Sequence, residues 1–523
     1  MAVSDWRITV ERINRSQTLV GQAINTGAMG LRSKRKRMEP VFINANDENK
    51  ILDLYGQPTT EFPDVWEAIQ YNRAEGIWLF SPTFADDKVG GALVTASGIT
   101  ALSTGLDPAN PSYTFTEDVG GGEGQDEYFV IYSKWVVNGG DDLSVTMTYD
   151  DEAEPEQFTI TVYKSGEEMF SEQVSLIPGT RNGFGANIYI EDVLENNEFV
   201  GIMMNENRSF TSFTDVTTAV TFGGNEIDSA GDMSVAMTNG WDQFQQANKY
   251  PFKVGMDTTA DPAIADSFST LRNSYQSYAR FILPLPLGEN TATAIATKTG
   301  LGVNNYGLAF YWNQGRVRNN YAGGSFWTSL VGRIGAKYAI MSDIFNAGSP
   351  SYEDRDGYGG QLGTGIIELQ YDPSNTELRQ LDDAGINPVV FEPGAGVLIA
   401  GDKTAQNPKR LDDYSYIPHV GLFDYLIENI VTFVLKPQRN KLNNPVNREI
   451  AANLTNGLIS PVQAATFLRD YVVVCDRSNN TDDVLARREF VLTVVVQVTP
   501  FSQKLRLKFA NIGQTTTVEQ FFD

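Results

Sequence analysis

The stretch GINPVVFEPGAGVLIAGDKT occupies residues 385–404, and the remainder of the chain is read outward from it. Gly385-Ile386-Asn387-Pro388 is a turn that opens onto a short apolar strand through Val389 and Val390. A second strand over residues 396–401 ends in the polar turn Asp402-Lys403-Thr404. A helical run follows over residues 422–435. Its apolar positions Phe423, Leu426, Ile427, Ile430 and Val434 fall at i, i+3, i+4, i+7 and i+11, one face of a helix. The segment YVVVCD at residues 471–476 predicts a buried strand. Residues 481–488 predict a short helix with Thr481 as its cap, Asp482 and Asp483 at the positive end, and Arg487 and Arg488 at the negative end. Residues 491–498 predict another strand. Leu505, Leu507 and Phe509 alternate with Arg506 and Lys508, giving a last strand with one apolar and one basic face.

The chain has 523 residues, too many for one compact core, so several domains are expected. Hydrophobic residues make up 41% and charged residues 20%, the balance of a folded chain. The 65 acidic and 40 basic residues leave a formal net charge of -25, which argues against nonspecific binding to nucleic acid or to an anionic membrane. The single Cys, Cys475, has no intramolecular partner, and a reducing compartment is the natural reading. Residues 1–10 lack the apolar run of a signal peptide, and no apolar stretch reaches the length of a membrane span.

Taken in order, residues 5–13 form a candidate strand, with Trp6, Ile8 and Val10 on one side and no hairpin partner beside it. Residues 21–37 are small and polar, then basic; the run Arg32-Ser33-Lys34-Arg35-Lys36-Arg37 is expected to be a solvated loop. A strand (40–43), a short helix ending in Tyr55-Gly56 (46–54), a second helix (63–75) and a strand (77–80) follow. From 90 to 224 the pattern changes to short alternating runs at 128–135, 143–149, 158–163 and 187–190, which suggests an inserted antiparallel β domain. The acidic run at 150–156 is a solvated loop. Gly120-Gly121-Gly122-Glu123-Gly124 lacks the setting of a phosphate cradle. Between 230 and 383 helical and strand patterns alternate: helices at 239–247, 264–277 and 376–384, strands at 252–255 and 280–285, and a long helix at 325–341 carrying Gly332 and Gly335 on one side. Asp354-Arg355-Asp356-Gly357 resembles a calcium loop but lacks its closing bidentate Glu. Residues 515–523 are a β-prone tail without an adjacent partner strand.

The chemistry-bearing residues are sparse. The one His, His419, opens an apolar helix, and Cys475 sits in an apolar strand as a small hydrophobe. One His and one Cys do not make an ordinary zinc site. Asp382/Asp383 and Asp412/Asp413 are adjacent carboxylates in turns. No nucleotide fingerprint follows a strand. The residues therefore indicate neither an enzyme nor a cofactor, and a scaffold accounts for more: two β-prone termini flank a folded body, and strands without internal partners can complete a neighbour's sheet.

The Gly-Ile-Asn-Pro turn (Gly385 to Pro388), the Gly-Asp-Lys-Thr turn (Gly401 to Thr404) and the strand–Cys-Asp-x-x-x-Asn-Thr run (Val472 to Thr481), in this order, resemble the C-terminal domain of contractile-tail sheath proteins. The layout of residues 40–80 resembles theirs too, although residues 77–80 read IWLF where a Val-Arg motif is expected. The resemblance implies an α+β multidomain chain: an α/β-type sheath core, an inserted antiparallel β domain facing outward, and extended N- and C-terminal strand arms. The expected division is an N-terminal arm (1–20), a first core segment (21–90), an inserted domain (91–229), a second core segment (230–384), a C-terminal sheath domain (385–510) and a C-terminal arm (511–523). It implies a virion tail subunit, assembled in the host bacterial cytoplasm, that polymerises with itself helically in stacked, hexameric rings. Tail tube, baseplate and tail terminator proteins are its implied partners, with no nucleic acid, no membrane insertion and no cofactor. Arm residues Trp6, Ile8, Val10, Val518, Phe521 and Phe522 would weave neighbours into a mesh, with Gly21 and Gly513 as hinges. Lys436, Arg439, Lys441 and Arg448 form the candidate tube-facing basic patch. Two alternatives stay open: the sheath of a tailocin or other injection system, and a carboxylate-dependent hydrolase with an appended β domain.

Overall fold

The computed structural model describes residues 25–115, 126–137, 143–149, 157–195, 197–206, 214–228, 231–341, 345, 360–406 and 412–500. The strand at 5–13, the basic-faced strand at 505–509, the acidic run, the glycine run at 120–124, the loop at 354–357, all six arm residues and the hinges Gly21 and Gly513 lie outside them. Chain contacts divide the protein into two units, residues 1–422 and 423–523.

The first unit is built on an eight-stranded sheet. Six strands are parallel: Gly27–Gly30, Ile77–Phe80, Val254–Met256, Arg280–Pro284, Leu308–Trp312 and Ile386–Glu392. Ranked in chain order they lie side by side as 2-1-3-4-5-6, so the order reverses at the first strand, as in doubly wound α/β sheets. Val41–Ile43 and Gly396–Ile399 close the two edges as antiparallel strands. Side chains alternate across this sheet. Met29, Ile282, Ala309 and Tyr311 enter one core with the helices Glu48–Tyr55, Asp64–Asn72 and Val331–Ile340. Ala28, Phe281, Leu283, Phe310 and Trp312 enter the other with Met233–Asp242 and Pro262–Thr270. Both faces are covered, which is why these strands read as unbroken apolar runs. The strands 386–399, grouped by sequence with the C-terminal segment, are an edge of this sheet, and the contact division falls after Leu422.

Gly332 and Gly335 stand where neighbours approach too closely for a side chain. A Cβ on Gly332 would stand 1.9 Å from the Glu67 carbonyl oxygen, and one on Gly335 2.2 Å from Met256 Sδ. The helix they belong to is shorter than expected. Ser325–Thr328 is a strand paired with Gly315–Arg318, and the helix starts only at Val331, after Leu330 in a left-handed conformation (φ 61°).

The basic run is not a solvated loop. Residues 27–30 are a central strand, and Arg35–Lys36 pairs with Val136–Val137. Arg32 Nε binds Asp64 at 2.9 Å, Lys36 Nζ binds Asp87 at 3.3 Å, and Arg35 donates to the Asp53 carbonyl. Lys36 also lies over the Phe84 ring. Long cationic stems pack on apolar surface while their heads find carboxylates.

Between the second and third parallel strands the chain forms two antiparallel four-stranded sheets. One comprises Leu143–Tyr149, Gln157–Lys164, Glu167–Ser175 and Val216–Thr221; the other Gly91–Thr95, Gly98–Ala101, Glu127–Ser133 and Val200–Met204. They share a core through Phe129, Ile131, Val145, Ile160 and Val174. The expected strand at 187–190 is instead the approach to a helix, Ile190–Glu195.

Candidate interaction surfaces

In the first unit, two of the diagnostic turns are joined by one side chain. Asn387 donates to the carbonyls of Phe310 (3.1 Å) and Lys403 (2.8 Å), and its Oδ1 accepts from Lys403 N at 2.7 Å. A Cβ at Gly401 would meet Asn387 Oδ1 at 2.8 Å, so the second turn needs its glycine for the first turn's Asn to fit. Lys403 is buried, 4.3 Å above the Tyr416 ring. His419 is buried against Tyr416, 3.4 Å from Asp413 Oδ1. The turns thus act as internal locks.

Ile417–Asn429 is a helix, followed by a widened π turn at Ile430–Leu435 and a further turn at Lys436–Gln438. This continuous run of 22 residues contains an 18-residue window of mean hydropathy 1.2 and is long and apolar enough to cross a bilayer, contrary to the sequence reading. Of that window 56% is buried within the protein; the helix carries Asp424 and Glu428 and is read as a core helix.

The second unit continues through a 20-residue helix, Pro445–Ala464, that the sequence reading missed. Asn444-Pro445 resembles a turn but is a cap followed by a proline at the first helical position; Asn444 Oδ1 accepts from Asn447 N at 2.8 Å. The apolar pattern also misleads. The buried side is the small one, Ala451 and Thr455 with Ile459 and Val462, while Leu442, Val446, Ile450 and Leu454 are exposed at a spacing of four.

A hairpin, Leu468–Val474 with Thr493–Val498, completes the unit. The expected buried strand is half open: Val472 is 54% and Val495 60% exposed, opposite each other on one face. Among the described residues this sheet has two strands only. The third diagnostic run forms the turn between them. Asp476 Oδ1 accepts from Ser478 N (2.7 Å) and Oγ (2.6 Å), bonds that hold its carboxyl below the usual range. Asn480, fully buried, donates to the Val491 carbonyl (2.8 Å) and accepts from Val491 N (2.9 Å) and Asn443 Nδ2 (3.1 Å). Thr481 makes no side-chain cap bond on the helix Asp482–Ala486. Cys475 is buried, which raises its thiol pKa.

Of the basic patch, Lys436, Arg439 and Lys441 are exposed and clustered before the long helix, and none forms an ion pair among the described residues. Arg448 differs: it is 5% exposed, and its Nη1 donates to Asn443 Oδ1 at 2.9 Å. It braces the turn that presents the other three. Asn443, Arg448 and Asn480 were missed by sequence reasoning as a bonded set; the Asn in the third motif was the available signal. Among the described residues no group of three His, Cys, Asp or Glu is placed to hold a metal ion.

In overall fold the chain is similar to sheath tail proteins: the crystal structure of one from Listeria innocua superimposes with TM-score 0.55 over 91% of this chain and 95% of that chain, at 10% identity. Curated relatives agree with the resemblance read from the motifs. The chain is 26% identical over 375 residues to the tail sheath protein of Vibrio phage KVP40, covering 65% of this chain and 53% of the relative. It is 27% identical over 208 residues to the tail sheath protein of Enterobacteria phage T4, covering 40% of this chain and 30% of the relative. The chain thus spans about half or less of the length of these relatives. No family model matches the sequence.

Proposed function

We propose that this chain is a structural subunit of a contractile tail sheath, polymerising helically around a tail tube and contracting to drive the tube through the host envelope. Sequence similarity to two tail sheath proteins and the shared fold support this reading. The observation that carries its mechanism is the open hairpin of the second unit. Among the described residues, two strands with exposed valines on one face form a sheet without a third strand, and a strand from another copy can complete it. The terminal segments, with Trp6, Ile8 and Val10 at one end and Val518, Phe521 and Phe522 at the other, are the strands that would do so, pivoting near Gly21 and Gly513. A contact of this kind is heterologous and propagates into a helix.

In the same reading the two antiparallel sheets within 91–229 are an outward-facing inserted domain. Lys436, Arg439 and Lys441, braced by Arg448 and flanked by the exposed Leu442, Val446 and Ile450, face the tube. Contraction is a two-state change of packing between rigid subunits, with the strand mesh keeping them connected. The subunit acts within the virion tail, in stacked hexameric rings, with tube, baseplate and terminator proteins as partners and without catalysis. The sheath of a tailocin or other injection system shares this core.

Negative-stain electron microscopy of the purified chain tests the reading. Hollow striated tubes, formed alone or on added tube protein, are expected. Small uniform particles under both conditions would exclude a sheath.

A further inference from the structure

The first unit holds two adjoining cavities of about 320 and 370 Å³ that share Gln70, Arg73, Arg333 and Thr364 as walls. Arg318 and Trp66 also line the first, beside Tyr321. Three guanidinium groups therefore line one concavity, in a protein with 65 acidic and 40 basic residues. Carboxylates are abundant, yet among the described residues only Arg73 of the three forms an ion pair, with Glu48 at 2.9 Å, while Arg333 feels the buried Glu67 without pairing with it. Arg318 and Arg333 form no ion pair among the described residues.

Arg333 is fixed in place. Its guanidinium lies 4.9 Å from the Trp66 ring, and its Nη1 donates to the Leu362 carbonyl at 2.7 Å. Among the described residues its Nε is buried without a partner. Gly363 and Gly365, at φ 77° and 93°, turn the backbone past this guanidinium without a side chain to cover it. Holding like charges together costs energy unless something negative sits between them.

We propose that this cavity is a binding site for an oxyanion, a phosphate or carboxylate group. Planar guanidinium forks match the two oxygens of such a group in bidentate fashion. The Gln70 amide and the Thr364 hydroxyl add neutral donors. Stacking of Arg333 on Trp66 removes much of the ordering cost that binding otherwise incurs. The oxyanion comes either as free phosphate or as a carboxylate side chain of a second copy of the chain.

Calorimetric titration of the full chain with inorganic phosphate, at constant ionic strength in chloride, tests the site. Saturable binding is expected, weakened at least about tenfold (~1.4 kcal/mol) in the Arg318→Ala/Arg333→Ala variant. Arg316→Ala, which removes an arginine already paired with Glu368 at 2.9 Å, leaves it unchanged. Arg318 is exposed, so Arg318→Ala alone keeps the fold and shows the same direction of effect. Absence of saturable binding to the wild type, or binding by Arg318→Ala and the double variant equal to that of the wild type, would overturn the proposal. A second arm identifies the source and rests on the sheath reading. Phosphate that suppresses tube formation relative to chloride points to a carboxylate from a neighbouring copy; phosphate that leaves tubes unchanged points to the free anion. The binding arm needs no assembly, so failure of the sheath reading is seen separately.

Discussion

Gly332 stands where the helix Val331–Ile340 crosses Asp64–Asn72, with the Glu67 carbonyl in the place its side chain would occupy. Gly332→Ala forces the two helices apart and is expected to cost about 3 kcal/mol, measured by denaturant unfolding. A nearly unchanged midpoint would show that the crossing is softer than its geometry indicates. Glu67 itself is fully buried, and so is Asp257. Burial raises each carboxyl to about 7, against the hydrogen bonds from Thr328, Gly332 and Leu330 to the first and from Trp241 and Thr259 to the second. An acid with a raised folded-state pKa stabilises the fold fully below its unfolded pKa, near 4, and loses that contribution as pH rises through about 7. The chain is therefore expected to be more stable at pH 5 than at pH 8. Asp257→Asn should shrink that difference by about 2 kcal/mol. Denaturant melts of both proteins at the two pH values decide it, and an unaltered difference would mean that Asp257 is ionised throughout.

The hairpin Leu468–Val474/Thr493–Val498 shows what an element reveals only once its surroundings are known. Its apolar sequence marked the strands, but the reading of burial failed because Val472 and Val495 face outward. Apolar periodicity reports that a face must be covered, not whether this chain or another covers it. The helix Pro445–Ala464 was missed for the same reason: its large apolar residues lie on the open side, and its capped start reads locally as a turn. The basic run from Arg32 to Arg37 misled differently, since its partners Asp64 and Asp87 lie far along the sequence. By contrast, strands of the parallel sheet such as Ile77–Phe80 and Arg280–Pro284, buried on both faces, were legible, as were helices with strong termini such as Asn375–Ala384, with its Ser374/Glu377 capping box and Gly385 beyond. The exposed valines yield an element-level prediction. Val472→Lys/Val495→Lys should change the stability of the isolated chain by less than about 1 kcal/mol, because neither residue is in the core. It should abolish tube formation in sedimentation assays, since two charges on that face oppose an added strand. Tubes of normal yield would mean that this face is not where copies join.

For the whole molecule, the sheath reading makes each copy both a donor and an acceptor of strands. Removing residues 1–12 deletes a donor strand but leaves the hairpin as an acceptor. The truncated chain should remain folded, with an unchanged thermal midpoint, and sediment as a monomer. Mixed with the intact chain it should still accept a neighbour's strand but pass none on through its missing arm, so growth stalls where it is incorporated. Mean tube length, measured by electron microscopy, should then fall steadily as the truncated fraction rises. An inert truncated chain leaves lengths set by the intact chain alone, and one that supports normal growth leaves them set by total protein. An inert chain would show that acceptance also needs residues 1–12; normal growth would show that they are not the connecting strand. Normal growth would leave the open hairpin to the other terminus, where removal of residues 511–523 poses the same question in the same assay.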